Sequence, residues 1–173
     1  KKKSSLAIVN KLNQNCLPSK QVKVENTLNF LSKCSSIFRE NIDAKIISIT
    51  GSCGKTSLKE MIGVILKKIS RTTYSPKSFN NKYGVPLSVF NLKQNDEFGV
   101  FEVGMDKKGE IDILTRITKP NLGIITNISY AHSKNFKNIN QIAQAKAEIM
   151  NNIKKNGIII LNMDDYFYNY HKN

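Results

Sequence analysis

The run Gly51-Ser52-Cys53-Gly54-Lys55-Thr56 has the residue types that grip a polyphosphate. Two glycines allow a tight turn that gathers backbone N–H groups at one point. Lys55 can set its charge against β- and γ-phosphates, and the Thr56 hydroxyl can ligate a Mg²⁺ that bridges them. Ser57 offers a second hydroxyl. The general pattern has a glycine five residues before the Gly-Lys pair, where this chain has Ile49, so the loop is a shortened variant. Lys146 stands out for a different reason. It falls seven residues after Ile139, on the apolar stripe of Ile139, Ile142, Ala143, Ile149, Met150 and Ile153. Desolvation there disfavours the ammonium, and a neutral amine can capture CO₂ as a carbamate. The alternative is an ordinary lysine whose stem is buried and whose head reaches water.

The elements that must position these groups follow from hydrophobic periodicity. Lys45 to Thr50 reads as a buried strand, and after the glycine turn Leu58, Met61, Ile62, Ile65, Leu66 and Ile69 share one helical face. A strand, a glycine loop and a helix in that order aim amides and a positive helix end at one anion. Further strands are expected at Thr72 to Tyr74, Phe98 to Val103, Leu122 to Thr126 and Gly157 to Leu161. Helices are expected near Val85 to Leu92, Glu110 to Ile117 and Ile139 to Ile153. Upstream, Val22 to Val24 reads as a short strand and Asn26 to Arg39 as a helix with Leu28, Leu31 and Phe38 inward. The alternation predicts an α/β fold: a mostly parallel sheet with helices on both faces, carrying the P-loop.

In such a sheet ligands gather at the C-terminal strand ends. Glu102 follows the apolar Val100-Phe101 at one such end, and His132 lies in a loop just beyond another. Asn80 and Asn81 sit in a turn-like stretch where asparagine is common for structural reasons alone. Glu110, at a helix start, is a weaker site candidate, because a carboxylate there also favours the helix dipole.

The chain has 173 residues, 40% of them hydrophobic, enough for one domain with a core. Its longest apolar run, Gly157 to Leu161, is far too short to span a membrane, and the Lys1-Lys2-Lys3 start lacks the apolar segment of a secretory signal. A soluble cytoplasmic monomer is expected. The formal net charge of +14 comes from scattered lysines instead of a patch, which argues against a dedicated nucleic-acid partner. Cys16, Cys34 and Cys53 have no metal-ligand spacing and read as free thiols.

Several motifs occurring in order resemble the Mur ligase family. Thr50 to Thr56 is similar to its Thr-Gly-x-x-Gly-Lys-Thr loop. Asn80-Asn81 with Gly84-Val85-Pro86 resembles the signature of the members that join D-alanyl-D-alanine to a UDP-muramyl-tripeptide. Glu102 with Gly109-Glu110-Ile111, Thr126-Asn127-Ile128 with Ala131-His132, Ala145 to Ile149, and Leu161 to Asp165 resemble four more. The resemblance covers roughly Val22 to Asp165, and it departs at Met105 to Lys108, which replaces an Ala-Asn-His-Pro type of segment.

What the resemblance implies is ATP-driven amide formation through an acyl phosphate, with UDP-muramyl-tripeptide and D-alanyl-D-alanine as partners. Residues 51–57 would bind ATP. Thr56 and Glu102 would hold one Mg²⁺, with His132 at a second, joined by Lys146 if carbamylated. Lys55, Asn80, Asn81, His132 and Lys146 would form the catalytic set, with the asparagines at the transferring phosphoryl group. Residues 1–20 would be the end of a preceding domain or a linker, and 21–173 a central ATP-binding domain truncated on its C-terminal side and inactive in isolation. Another Mur-type or a folylpolyglutamate-type ligase, and a nucleotide-dependent switch or nucleic-acid module, remain open at this level.

Overall fold

The computed structural model describes residues 5–130 and 135–172. Five strands form one wholly parallel sheet in the order β4-β5-β3-β6-β7. They are β3 (Lys45–Thr50), β4 (Thr72–Tyr74), β5 (Phe98–Glu102), β6 (Leu122–Ile125) and β7 (Ile158–Leu161). Register aligns the ends that matter: Ile49 lies opposite Glu102, and Thr50 opposite Ile125. Successive side chains of β3 alternate between two cores, because a strand sends neighbours to opposite faces. Ile46 joins Phe101, Val85, Leu114, Ile142 and Ile149 on one face. Ile47 and Ile49 join Val100 and Ile124 on the other.

The first core is covered by α3 (Gly84–Val89), α4 (Glu110–Thr118) and α5 (Ile139–Ala147), with α1 (Thr27–Glu40) packed on α3 and α4. The second is covered by α2 (Lys55–Lys67). Asn26 starts α1 by accepting from the Leu28 and Asn29 amides at 2.9 and 3.0 Å, as an N-cap side chain does. Along α1, Leu28, Leu31 and Phe38 are half-buried, and the residues that go deepest are Ser35 and Arg39. The Arg39 guanidinium donates to the carbonyls of Thr118, Ile42 and Ala44 at 3.0, 2.6 and 3.0 Å, closing the ends of α4 and α1.

Two expectations need correction. On α2 the inward stripe is Leu58, Lys59, Ile62, Gly63 and Leu66, while Met61, Ile65 and Ile69 are exposed. The apolar band is wider than the buried strip, and the turn closest to the sheet is set by Gly63, where a Cβ would come within 2.6 Å of the Tyr74 ring. The single helix expected over 139–153 ends at Ala147 and continues as a 3₁₀ turn, Glu148–Asn152. Glu148 and Asn152 are drawn to α4: Glu148 accepts from the Gly109 and Asp112 amides at 2.7 and 3.2 Å, and Asn152 bonds Asp112 and Thr115. A short helix α6 (Tyr168–Lys172) follows β7, unanticipated in the sequence.

The stretch before Pro18 contributes β1 (Ala7–Val9), which pairs in parallel with β2 (Gln21–Lys23) in a separate two-stranded sheet. No helix among the described residues is long and apolar enough to cross a membrane.

Candidate active site at the C-terminal edge of the sheet

The loop between β3 and α2 takes the shape its glycines permit. Gly51 has φ 142°, and a Cβ on it would lie 1.9 Å from Thr126 Oγ1. Gly54 starts α2 in the left-handed region, φ 79°, and no side chain caps the helix, so its first-turn amides are free to face an anion. Lys55 folds over the loop, its Nζ donating to the Gly51 and Ser52 carbonyls at 2.8 and 3.2 Å. Ser57 is exposed on the same first turn.

On the β6 side the turn after the strand clasps this loop. Ser52 N–H donates to the Asn127 carbonyl and Cys53 N–H to Asn127 Oδ1, at 2.8 and 3.0 Å. Thr126 Oγ1 donates to the Cys53 carbonyl at 2.6 Å. Ser52 Oγ donates to the Ser129 carbonyl and accepts from its amide. Asp165, beyond β7, anchors the turn by accepting from Ile128 N–H at 2.6 Å.

On the β5 side oxygen ligands converge. Thr56 Oγ1 donates to Glu102 Oε2 at 2.7 Å, and Asn80 Nδ2 donates to the other oxygen, Oε1, at 2.7 Å. Ser78 Oγ lies 3.3 Å from Thr56 Oγ1. Glu102 is 1% exposed, so its carboxylate is held by these donors instead of by bulk water. A hydroxyl beside a carboxylate fits Mg²⁺, which takes one or two protein oxygens and completes its shell with phosphate and water. Among the described residues no group of three or more His, Cys, Asp or Glu side chains gathers.

The two asparagines part company. Asn80 reaches Glu102, whereas Asn81 turns its Oδ1 to the Tyr83 and Gly84 amides, at 3.1 and 2.9 Å, at the start of α3. Both line a cavity of about 490 Å³ that also touches Lys55, Lys82, Lys107 and Glu110. Glu110 itself accepts from the Asp106 and Lys107 amides at 2.5 and 3.1 Å, closing the turn that precedes α4.

Lys146 is 2% exposed, as its place on the apolar stripe requires. Burial pushes its pKa down to about 7, the neighbouring Lys55 charge pushes the same way, and Cys53 opposes them slightly. Burial thus makes the neutral amine far more available near neutral pH than in a solvated lysine. His132 lies outside the described residues.

Sequence reasoning singled out the loop, Glu102, Asn80 and Lys146, which the fold brings to one edge. It gave no role to Ser75, Ser78, Asn127, Asp165 or Lys59. Asn127 and Asp165 had a usable signal, since each follows an apolar strand on the ligand edge. Lys59 had none, because a lysine in a helix ordinarily faces water.

A wholly parallel sheet with a phosphate loop, a buried carboxylate on the adjoining strand end and a desolvated lysine across from it defines a P-loop nucleotide-using protein. A family model described as the Mur ligase middle domain matches residues 49–173, and the chain belongs to that family. It is 40% identical over 160 residues to the UDP-N-acetylmuramoyl-tripeptide--D-alanyl-D-alanine ligase of Buchnera aphidicola subsp. Baizongia pistaciae, covering 91% of this chain and 35% of that relative. Among solved structures it resembles MurF from Acinetobacter baumannii, with TM-score 0.91, 34% identity and coverage of 96% of this chain and 36% of that one. It also resembles MurF ligase from Thermotoga maritima in complex with ADP, with TM-score 0.85, 28% identity and coverage of 92% and 37%. The chain thus spans about a third of the length of these relatives.

Proposed function

We propose that this chain is the ATP- and Mg²⁺-binding part of a cytoplasmic ligase that joins D-alanyl-D-alanine to UDP-N-acetylmuramoyl-tripeptide. The observation that carries the reading is the Thr56–Glu102–Asn80 cluster at the mouth of the phosphate loop. In the first step a carboxylate oxygen of the tripeptide attacks the γ-phosphorus of ATP and ADP leaves. In the second the amine of D-alanyl-D-alanine attacks the acyl carbon of the resulting acyl phosphate, inorganic phosphate leaves, and the amide forms with loss of a proton.

The task for the protein is to hold several negative charges close together. The free amides of α2 and the Lys55 charge take the phosphates. Thr56 and Glu102 would hold Mg²⁺, which offsets the repulsion between carboxylate and triphosphate. Asn80, whose Nδ2 donates to Glu102, would also meet a phosphoryl oxygen, and the adjoining cavity with Lys82 and Lys107 would take an anionic peptide tail. Asn81, whose Oδ1 accepts from the Tyr83 and Gly84 amides, lines the same cavity and would offer its Nδ2 donors to a ligand there.

Lys146, with a pKa about 7, is suited to carry a carbamate toward a second cation, with His132 as its partner there. Residues 1–20 are read as the end of a preceding domain or a linker.

The test is a coupled assay on the intact protein. ADP and phosphate should appear only when UDP-muramyl-tripeptide, D-alanyl-D-alanine and Mg²⁺ are all present. Turnover with a folate and glutamate instead, or nucleotide hydrolysis indifferent to both peptide substrates, would overturn the assignment.

A further inference from the structure

Lys59 is the one lysine of α2 that is completely buried, and nothing in the proposed chemistry uses it. Its three donors meet three acceptors: the Ser75 carbonyl at 2.7 Å, the Lys77 carbonyl at 2.5 Å and Glu60 Oε1 at 2.7 Å. Burying an amine is costly unless every donor is matched, so a lysine in this position needs a specific task.

Two of the acceptors belong neither to α2 nor to the sheet interior. They are backbone carbonyls of the segment 75–80, which leaves β4, crosses the C-terminal end of β5 and runs toward α3. Within it Lys77 has φ 48°, a conformation unfavourable for a residue with a side chain. Ser75 N–H continues the ladder to the Val100 carbonyl, and Ser75 Oγ accepts weakly from Glu102 N–H at 3.4 Å. Ser78 and Asn80, further along, reach Thr56 and Glu102. Asn80 is held in turn by its carbonyl, which accepts from Gly104 N–H at 2.7 Å. Lys59 lies three residues after Thr56, hence on the neighbouring helical face, so one turn of α2 carries both the site hydroxyl and the clamp on the segment that meets it.

We infer that Lys59 is a positioning residue for the cation cluster, pinning the segment 75–80 so that Ser78 and Asn80 hold Thr56 and Glu102 in one arrangement. It does not touch phosphate or cation itself. Loss of its donors frees the two carbonyls, leaves Lys77 in a strained backbone without its tether, and lets Asn80 drift from the carboxylate. The inference rests on the proposal that Thr56 and Glu102 face a nucleotide-bound cation, and on no particular substrate beyond it.

The experiment is titration calorimetry of ADP, with and without Mg²⁺, on the intact protein and on Lys59→Met, together with Mn²⁺ binding read by electron paramagnetic resonance. Lys59→Met is expected to weaken Mg²⁺-dependent ADP binding and Mn²⁺ affinity about 10-fold or more, as loss of a supporting shell does, with Mg²⁺-free ADP binding unchanged. Lys59→Gln, which keeps an amide donor, should fall between. Equal losses with and without Mg²⁺, or no loss in a folded Lys59→Met, overturn the inference. So does failure of both variants to fold, which would make Lys59 a residue of the core alone. If the ligase assignment is wrong but this inference is right, the unmodified protein still binds Mg²⁺-ADP and only the Lys59 variants lose the cation dependence. If the unmodified protein shows no such dependence, the cation cluster itself is wrong.

Discussion

On the β5 side of the phosphate loop the polar groups are already engaged with one another: Thr56 and Asn80 on the two oxygens of Glu102, Ser78 beside Thr56, and Lys59 beneath them on the backbone. On the β6 side the backbone is just as tightly tied, through Asn127 and Ser129, yet Lys146 is buried there with a second lysine as its electrostatic neighbour and no carboxylate on it among the described residues. One flank is prepared for a cation, and the other holds a buried amine whose charge burial and Lys55 both disfavour. The proposed gathering of polyphosphate and carboxylate can use both, but only the first has its side chains engaged with one another. The second needs a ligand, a carbamate or residues outside those described.

The largest effect should come from breaking the prepared flank. Glu102→Gln keeps the size and removes the charge, and kcat of the intact protein in the proposed ligase reaction should fall about 100-fold or more, the scale for losing one preorganised electrostatic group. Steady-state kinetics over a Mg²⁺ series would show it, and near-normal turnover would mean that the cation sits elsewhere.

Gly51→Ala attacks the junction between the flanks. Its φ of 142° and the 1.9 Å approach to Thr126 Oγ1 leave no room for a methyl group. A loss of about 1–3 kcal/mol from backbone strain alone is expected in urea unfolding, together with weakened ADP binding. An unchanged unfolding midpoint would show that the loop can relax away from Thr126.

The Lys146 flank should be sensitive to CO₂. Stripping dissolved CO₂ and bicarbonate should lower activity about 10-fold or more, as loss of a group that holds or supports a cation does, and adding bicarbonate should restore it. The same residue sets a pH dependence of stability. With a folded pKa of about 7 against an unfolded value near 10.4, the folded state binds fewer protons between those limits. The cost of the buried charge is therefore full below about pH 7 and disappears as pH rises toward about 10, so this contribution to stability climbs with pH across that window. Lys146→Met should flatten the climb in urea melts measured from pH 6.5 to 9.5.

The smallest effect, and the one that sharpens where the flanks meet, is chemical labelling of Cys53. Its exposed thiol sits in the loop itself. Mg²⁺-ATP should slow its alkylation while leaving the rate at the exposed Cys16 unchanged, as read by peptide mass mapping.

The strand-and-helix order of residues 45–161 and the phosphate loop were legible in the sequence, because both are local: a period of two or 3.6 residues and a glycine turn between them. The placement of Lys146 was legible too, since a helical stripe is a property of spacing alone. The tertiary structure decided which apolar stripe of α2 faces the sheet, where Gly63 admits the Tyr74 ring, and where α5 gives way to a 3₁₀ turn under the pull of Glu148 and Asn152 on α4. It also decided that Asn80 joins Glu102 while the adjacent Asn81 ties down the turn that leads into α3, and that Lys59 turns inward. Those outcomes depend on pairs such as Thr56–Glu102 and Asn80–Glu102, separated by 46 and 22 positions along the chain. Periodicity reaches only the next turn of a helix or the next residue of a strand. Contacts across such separations exist only once the sheet has brought its C-terminal ends to one edge.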